Sequence, residues 1–425
     1  MTQKISIPLL KDHHNHLSFY GLLHDGLNLQ QVKDKIEAIR RIQGLDQDQV
    51  SVVTGWNTAY YNFNRDDLDH LPPVIIVNIS LHSFLVSAPA EALLEERYPE
   101  MVANYKDPQW YEDHMPQMLI FLANQVKPTA GKFKSFFDFL FQKGVYYAEE
   151  MHLANETIFS ILDSSPFARR TAYWTDLDTY NTLSPGVQKE IKGIKFFTDG
   201  ALGARTAALE QPYRDGEKGY LLYADETLYR RLAEAAALGK SAAIHAIGEM
   251  ATSQVVRTIG KLKAKGITFP QVRMEHCQFI QERTAGQAKE LGIILSMQPN
   301  FSIDSLIYRD RLLPWYLENN NPFRMLIDRS GFVPGEDLIF GSDGMPPGVE
   351  DALKASLFPP FPQQELTLDE FIAGYCMPDK THGHIELEMD ETGLKSFSII
   401  RPAEDFERAM GHVLSRNREL YRRLS

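Results

Sequence analysis

The chain has 425 residues, 44% hydrophobic and 24% charged, an ordinary globular balance that can bury a large core without disulfides or a structural metal. Its formal net charge of −12 argues against nucleic acid as a partner, because phosphate binding needs a basic face. The two cysteines, Cys277 and Cys376, cannot build a disulfide framework, the first ten residues lack the apolar core and cleavage site of a signal peptide, and no stretch is long enough to span a bilayer. The expectation is a cytoplasmic protein that acts on a small molecule, with neither nucleic acid nor membrane as partner.

In chain order, short apolar runs alternate with segments of helical periodicity, and no repeat of fixed length appears. Eight runs read as strands: Ile5–Leu10, Val145–Ala148, Thr171–Trp174, Ile194–Phe197, Ala242–Ile244, Val272–Met274, Ile293–Met297 and Leu338–Phe340. Strands alternating with helices predict a parallel sheet, and eight such units predict an α/β fold of the (β/α)8 TIM-barrel type. Two more apolar runs, Val50–Thr54 and Val74–Ile79, fall between the first and second barrel strands. The connection there is far too long for a βα loop. It predicts a large insertion after strand 1, residues 17–143, over the catalytic face, with the barrel built from 1–16 and 144–380. Residues 381–425 predict a β-hairpin, Ile385–Met389 and Lys395–Ile400, and then a helix over about Pro402–Leu424.

A (β/α)8 enzyme carries its chemistry at the C-terminal ends of its strands. Here those ends are rich in metal-binding side chains. The first reads KDHHNH, with His14 and His16 two apart and therefore on one face of a strand. The fifth ends in His245, the sixth in His276 and the eighth in Asp343, while the fourth contains Lys195. Each alone has an ordinary structural reading: a helix cap for the aspartate, a hydrogen-bonded core position for each histidine, an ion pair for the lysine. Together, at strand ends and in barrel order, imidazoles and a carboxylate are the donors a hydrolytic zinc site requires.

The motifs DHHNH at 12–16, RDDLDHLPPV at 65–74, IKFFTDGALGARTAAL at 194–209, HAIGE at 245–249, RMEHCQ at 273–278, SMQPN at 296–300 and FGSDG at 340–344 resemble the amidohydrolase superfamily, in particular its YtcJ-like branch, which includes N-substituted formamide deformylase. The resemblance runs over residues 12–344. It implies one or two zinc ions held by His14, His16, His245, His276 and Asp343, with Lys195 carboxylated as a bridge when two are present. It implies that Asp343 also shuttles a proton, that His82 and Arg205 stand near the substrate, and that a homodimer is a natural assembly. Three departures stand out. The HxH strand starts almost at Met1, so one half of the usual β-sandwich is expected to be missing and the hairpin at 385–400 to be its remnant. HAIGE replaces the usual HAIGD, placing Glu249 there, and SDGMP shifts the usual proline to Pro346.

The reaction implied is hydrolysis of an amide or formamide-like C–N bond by metal-activated water. Deamination ranks lower, because deaminases of this type place a glutamate three residues after the strand-five histidine, where this chain has Gly248. A non-catalytic binding protein is the third reading. Trp56, Tyr60 and Tyr61 in the insertion either wall the pocket or form the insertion's own core.

Overall fold

The computed structural model describes residues 2–164 and 170–402. Its strands are β1 (Gln3–Pro8), β2 (Leu10–Asn15), β3 (Ser51–Trp56), β4 (Val74–Asn78), β5 (Phe84–Val86), β6 (Val145–Glu150), β7 (Thr171–Thr175), β8 (Ile191–Phe197), β9 (Ser241–Ala246), β10 (Val272–His276), β11 (Ile294–Met297), β12 (Leu338–Phe340), β13 (His384–Asp390) and β14 (Gly393–Ile400).

Eight of these form one parallel sheet in the order β2-β6-β7-β8-β9-β10-β11-β12, which is also their order in the chain. Helices cover the outside, so the strands are buried on both faces; all six residues of β9 are buried. This is the (β/α)8 barrel. Its seam lies between β12 and β2, where the chains meet just past the strand ends. Asp343 N–H donates to the His14 carbonyl at 2.7 Å, and Ser342 N–H donates to Asp12 Oδ1 at 2.8 Å. Gly341 makes the approach feasible: a Cβ there would lie 2.5 Å from the His14 backbone nitrogen.

The apolar run Ile5–Leu10 does not form the first barrel strand, contrary to the expectation from sequence. Residues 3–8 pair antiparallel with β13, from Gln3 opposite Met389 to Pro8 opposite His384. Pro8 has no N–H to give a continuing ladder, and the chain changes sheets there. The barrel strand starts at Leu10. The C-terminal hairpin is therefore the larger part of a three-stranded sheet, β1-β13-β14, with an N-terminal strand of its own.

The insertion carries a second small sheet, with β3 parallel to β4 and β4 antiparallel to β5. Its alternation serves two cores. Val74 and Ile76 pack with Leu29, Val53, Trp56, Tyr61 and Phe63 in the insertion's own core, while Ile75 and Val77 face the main core. Trp56 and Tyr61 are thus core residues, and Tyr60 stays exposed. The helix expected over Pro402–Leu424 lies outside the described residues. Among the described residues, no helix is long and apolar enough to cross a membrane.

Replacing Gly341 with alanine should force the seam apart. The expected cost is about 1–3 kcal/mol, as for overpacking in a core, measured by urea unfolding. An unchanged midpoint would show that the seam has slack.

Candidate metal centre

Five strands deliver side chains to one small volume at the C-terminal end of the barrel. One donor atom each from His14, His16 and Asp343 lies within 4.8 Å of the others. Asp343 Oδ1 is 3.0 Å from His16 Nε2 and 3.5 Å from His14 Nε2. Lys195 Nζ, from the middle of β8, lies 3.4 Å from the same His14 nitrogen. The His276 ring is 4.8 Å from that of His14, and the His245 ring is 4.5 Å from that of His276. His82, from the insertion, sits 5.5 Å from the His245 ring. Asp343 and His276 both have positive φ, 58° and 72°. Such conformations cost free energy for non-glycine residues and persist where the surroundings hold them.

Four of the five histidines are held from behind. His14 Nδ1 is 2.7 Å from Glu275 Oε2, and His276 Nδ1 is 2.8 Å from Gln298 Oε1. His245 Nε2 lies 3.0 Å from the Gly200 carbonyl. His82 Nδ1 is 2.8 Å from Glu112 Oε2, whose other oxygen accepts from Thr206 Oγ1 at 2.6 Å. Asp199 accepts from the backbone N–H groups of Ala208, Ile247 and Gly248, which pins the loops after β8 and β9 together.

Burial and mutual charge set the protonation states. Burial, then the Lys195 charge, holds His14 well below the ordinary imidazole value. Burial, then His245 and His14, does the same to His276. Both are therefore neutral imidazoles, the form that binds metals. Burial pushes Asp343 up, but His14, His16 and Lys195 outweigh it and hold the carboxyl at about 2. Burial lowers Lys195 to about 8, against the pull of Glu275 and Asp343. Burial opposes protonation of His82, and the Glu112 carboxylate overcomes it, leaving its pKa raised. The donor set fits a metal. His16 Nδ1 and Asp343 Oδ1 are buried and make no directed hydrogen bond, while carboxylate and imidazole lone pairs converge on one point.

Arg205 stands apart from this group. Its backbone has φ 61°, and its Nε lies 2.8 Å from Asp215 Oδ2 on a partly exposed surface. It shares a cavity of 490 Å3 with His82, next to the metal centre. Glu249 also points elsewhere, accepting a hydrogen bond from the Tyr316 hydroxyl at 2.6 Å.

Sequence reading missed Glu275, Gln298, Glu112 and Asp304. Glu275 stands in RMEHCQ, alternating with Arg273, and that alternation is a usable signal. Glu112 sits in a short helix with none. Asp304 lines the same small pocket as His82, His276 and Asp343. Its carboxyl accepts from Gln278 Nε2 at 3.0 Å, and burial pushes its pKa up to about 7 despite that bond and the nearby Arg311 charge.

The fold and this rim of donors describe a (β/α)8 barrel with a candidate metal centre at the C-terminal ends of its strands. Comparison with other proteins narrows that description. The sequence pattern of the amidohydrolase family matches residues 149–354. The YtcJ protein of Bacillus subtilis (strain 168) is 33% identical over 142 residues, 33% of this chain and 25% of that protein. The Arabidopsis thaliana protein LONG AFTER FAR-RED 3 is 31% identical over 115 residues, 26% of this chain and 20% of that protein. These alignments thus span about a quarter or less of the relatives' own length. Two crystal structures described as metal-dependent hydrolases share the fold. One, from Pyrococcus horikoshii OT3, superposes with a TM-score of 0.60 at 22% identity, covering 83% of this chain and 74% of that one. The other, from Pyrococcus furiosus, gives 0.61 at 20% identity, covering 87% and 80%. Residues 149–354 thus carry the amidohydrolase family's sequence pattern, and the chain is similar to YtcJ over the aligned stretch.

Asp304 gives a pH signature. Its folded pKa of about 7 exceeds the ordinary 3.8, so the folded state holds its proton more tightly than the unfolded chain. Stability from this group is full below pH ~4 and is lost as pH rises toward ~7. Asp304→Asn should therefore gain stability relative to the parent chain between pH 4 and 8, read by unfolding across that range. A constant difference would contradict the assignment.

Proposed function

We propose that this protein is a zinc-dependent hydrolase that cleaves an amide or formamide-like C–N bond of a small molecule. The observation that carries this reading is the convergence of His14, His16 and Asp343, with the Lys195 amine 3.4 Å from His14. His14, His16 and Asp343 would hold one ion. Lys195, if carboxylated, would bridge to a second held by His245 and His276; a lysine with a pKa of about 8 keeps a fraction of neutral amine for reaction with CO2 at neutral pH. Zinc bound there supplies Lewis acidity and makes water nucleophilic near pH ~7.

The remaining chemistry belongs to the side chains. Asp343 is ionised at working pH, so it accepts the proton of the attacking water and passes it to the leaving nitrogen. His82 is anchored through Nδ1 by Glu112, which leaves Nε2 free to donate to the substrate carbonyl oxygen as negative charge develops there. Arg205, on the wall of the adjoining cavity, suits a substrate group beyond the scissile bond. The insertion walls this side of the pocket through Trp56, His82 and Tyr111. The deaminase reading is weaker, because Glu249 is engaged by Tyr316 and is absent from the pocket wall. The same reading makes the protein a cytoplasmic enzyme, with a small molecule as partner and a homodimer as its assembly.

The test is a turnover screen of the zinc-loaded protein on N-formyl and N-acyl amines. Asp343→Asn should lower kcat by about 10²–10⁴-fold. Ammonia release from heterocycles alone would favour deamination. Substrate binding without any turnover would favour a binding protein.

A further inference from the structure

At the end of the barrel opposite the metal centre, the lumen opens into a cavity of 420 Å3 lined by Lys11, His13, Glu149, Lys192 and Arg273, with the exposed Glu336 at its mouth. Lys11, Lys192 and Arg273 are each the second residue of their strands, β2, β8 and β10, so three cations occupy one layer of the barrel floor. This volume suits a small organic ligand.

The carboxylate within this layer is already fully used. Glu149 Oε1 is met by His13 Nδ1 at 3.2 Å and Lys192 Nζ at 3.1 Å, and Oε2 by Trp174 Nε1 at 2.7 Å and Arg273 Nη1 at 2.8 Å. Arg273 shares its other edge with Glu275, which faces the metal centre. Lys11 is left over. Among the described residues, it forms no ion pair and lies 5.6 Å from the centre of the Tyr147 ring. Burial lowers the pKa of its ammonium, Lys192 and Arg273 lower it further, and only Glu149 pulls the other way. A half-buried cation without an ion-pair partner is costly, and an anion between two ammonium groups lowers that cost.

We propose that this floor cavity is a binding site for a small organic acid or phosphate monoester, its oxyanion held between Lys11 and Lys192. The site is separate from the metal centre and does not depend on the hydrolase reading.

The experiment is calorimetric titration of the zinc-loaded protein with inorganic phosphate and, separately, with acetate. Binding of either probe is expected, with Kd raised tenfold or more in Lys11→Met and in Lys192→Met while zinc content stays constant. Phosphate alone would identify a phosphate head group, and acetate alone a carboxylate. Without anion, Lys11→Met should melt at or above the parent temperature, because a stranded cation has been removed. No binding of either probe, or unchanged Kd in both variants, would overturn the proposal. So would a lower melting temperature for Lys11→Met, since it would show that Lys11 already has its partners within the fold.

Discussion

The structure depends on one buried ion network. Arg273, wholly inside the barrel, donates to Glu149 and to Glu275 at 2.8 Å each, and its third nitrogen reaches the His13 carbonyl at 2.7 Å. Glu275 in turn holds His14 at 2.7 Å. Buried charges are tolerated only when paired and hydrogen-bonded, and removing one partner of such a set costs about 3–5 kcal/mol. The network therefore fixes three things together: the pairing between strands across the lumen, the tautomer and aim of the first histidine, and the electrostatics that keep a lysine buried beside it. Carboxylates behind ligating histidines orient and tune metal sites generally. Here the supporting carboxylate is itself anchored to the barrel floor.

The barrel brings together residues that the chain keeps far apart. Five of the eight barrel strands each contribute one or two side chains, and the seam at Gly341 sets Asp343 against His14 by a backbone hydrogen bond. Local irregularity helps. The pairing of β2 with β6 shifts register between Asp12 and Asn15. Adjacent residues His13 and His14 can then both reach interior carboxylates, Glu149 and Glu275. The insertion adds His82 and its partner Glu112 to the pocket from outside the barrel. Scaffold and pocket wall thus come from different parts of the sequence, which leaves substrate choice to the insertion and loops.

The fold was legible because barrel strands buried on both faces read as short apolar runs, and their ends carry polar residues out of character with the run. That is how His14, His16, His245, His276 and Asp343 stood out. The run Ile5–Leu10 misled because apolar content does not say which sheet a strand joins; Pro8 was the available clue. Glu275 and Glu112 escaped notice because their meaning lies in contacts 261 and 30 residues away along the chain. The aromatic cluster of the insertion carried no such ambiguity of place, only of role: Tyr61 packs in the insertion's own core, while Trp56 packs there and also lines the cavity shared by His82 and Arg205.

The most direct measurement is metal content by elemental analysis, on the parent chain and on a His14→Ala/His16→Ala double variant, both purified without chelator. The account predicts about two zinc ions per chain in the parent if Lys195 is carboxylated, or about one if it is not, with a sharp loss in the variant. A folded parent chain that takes up no zinc, even when it is supplied, would contradict the account at its centre.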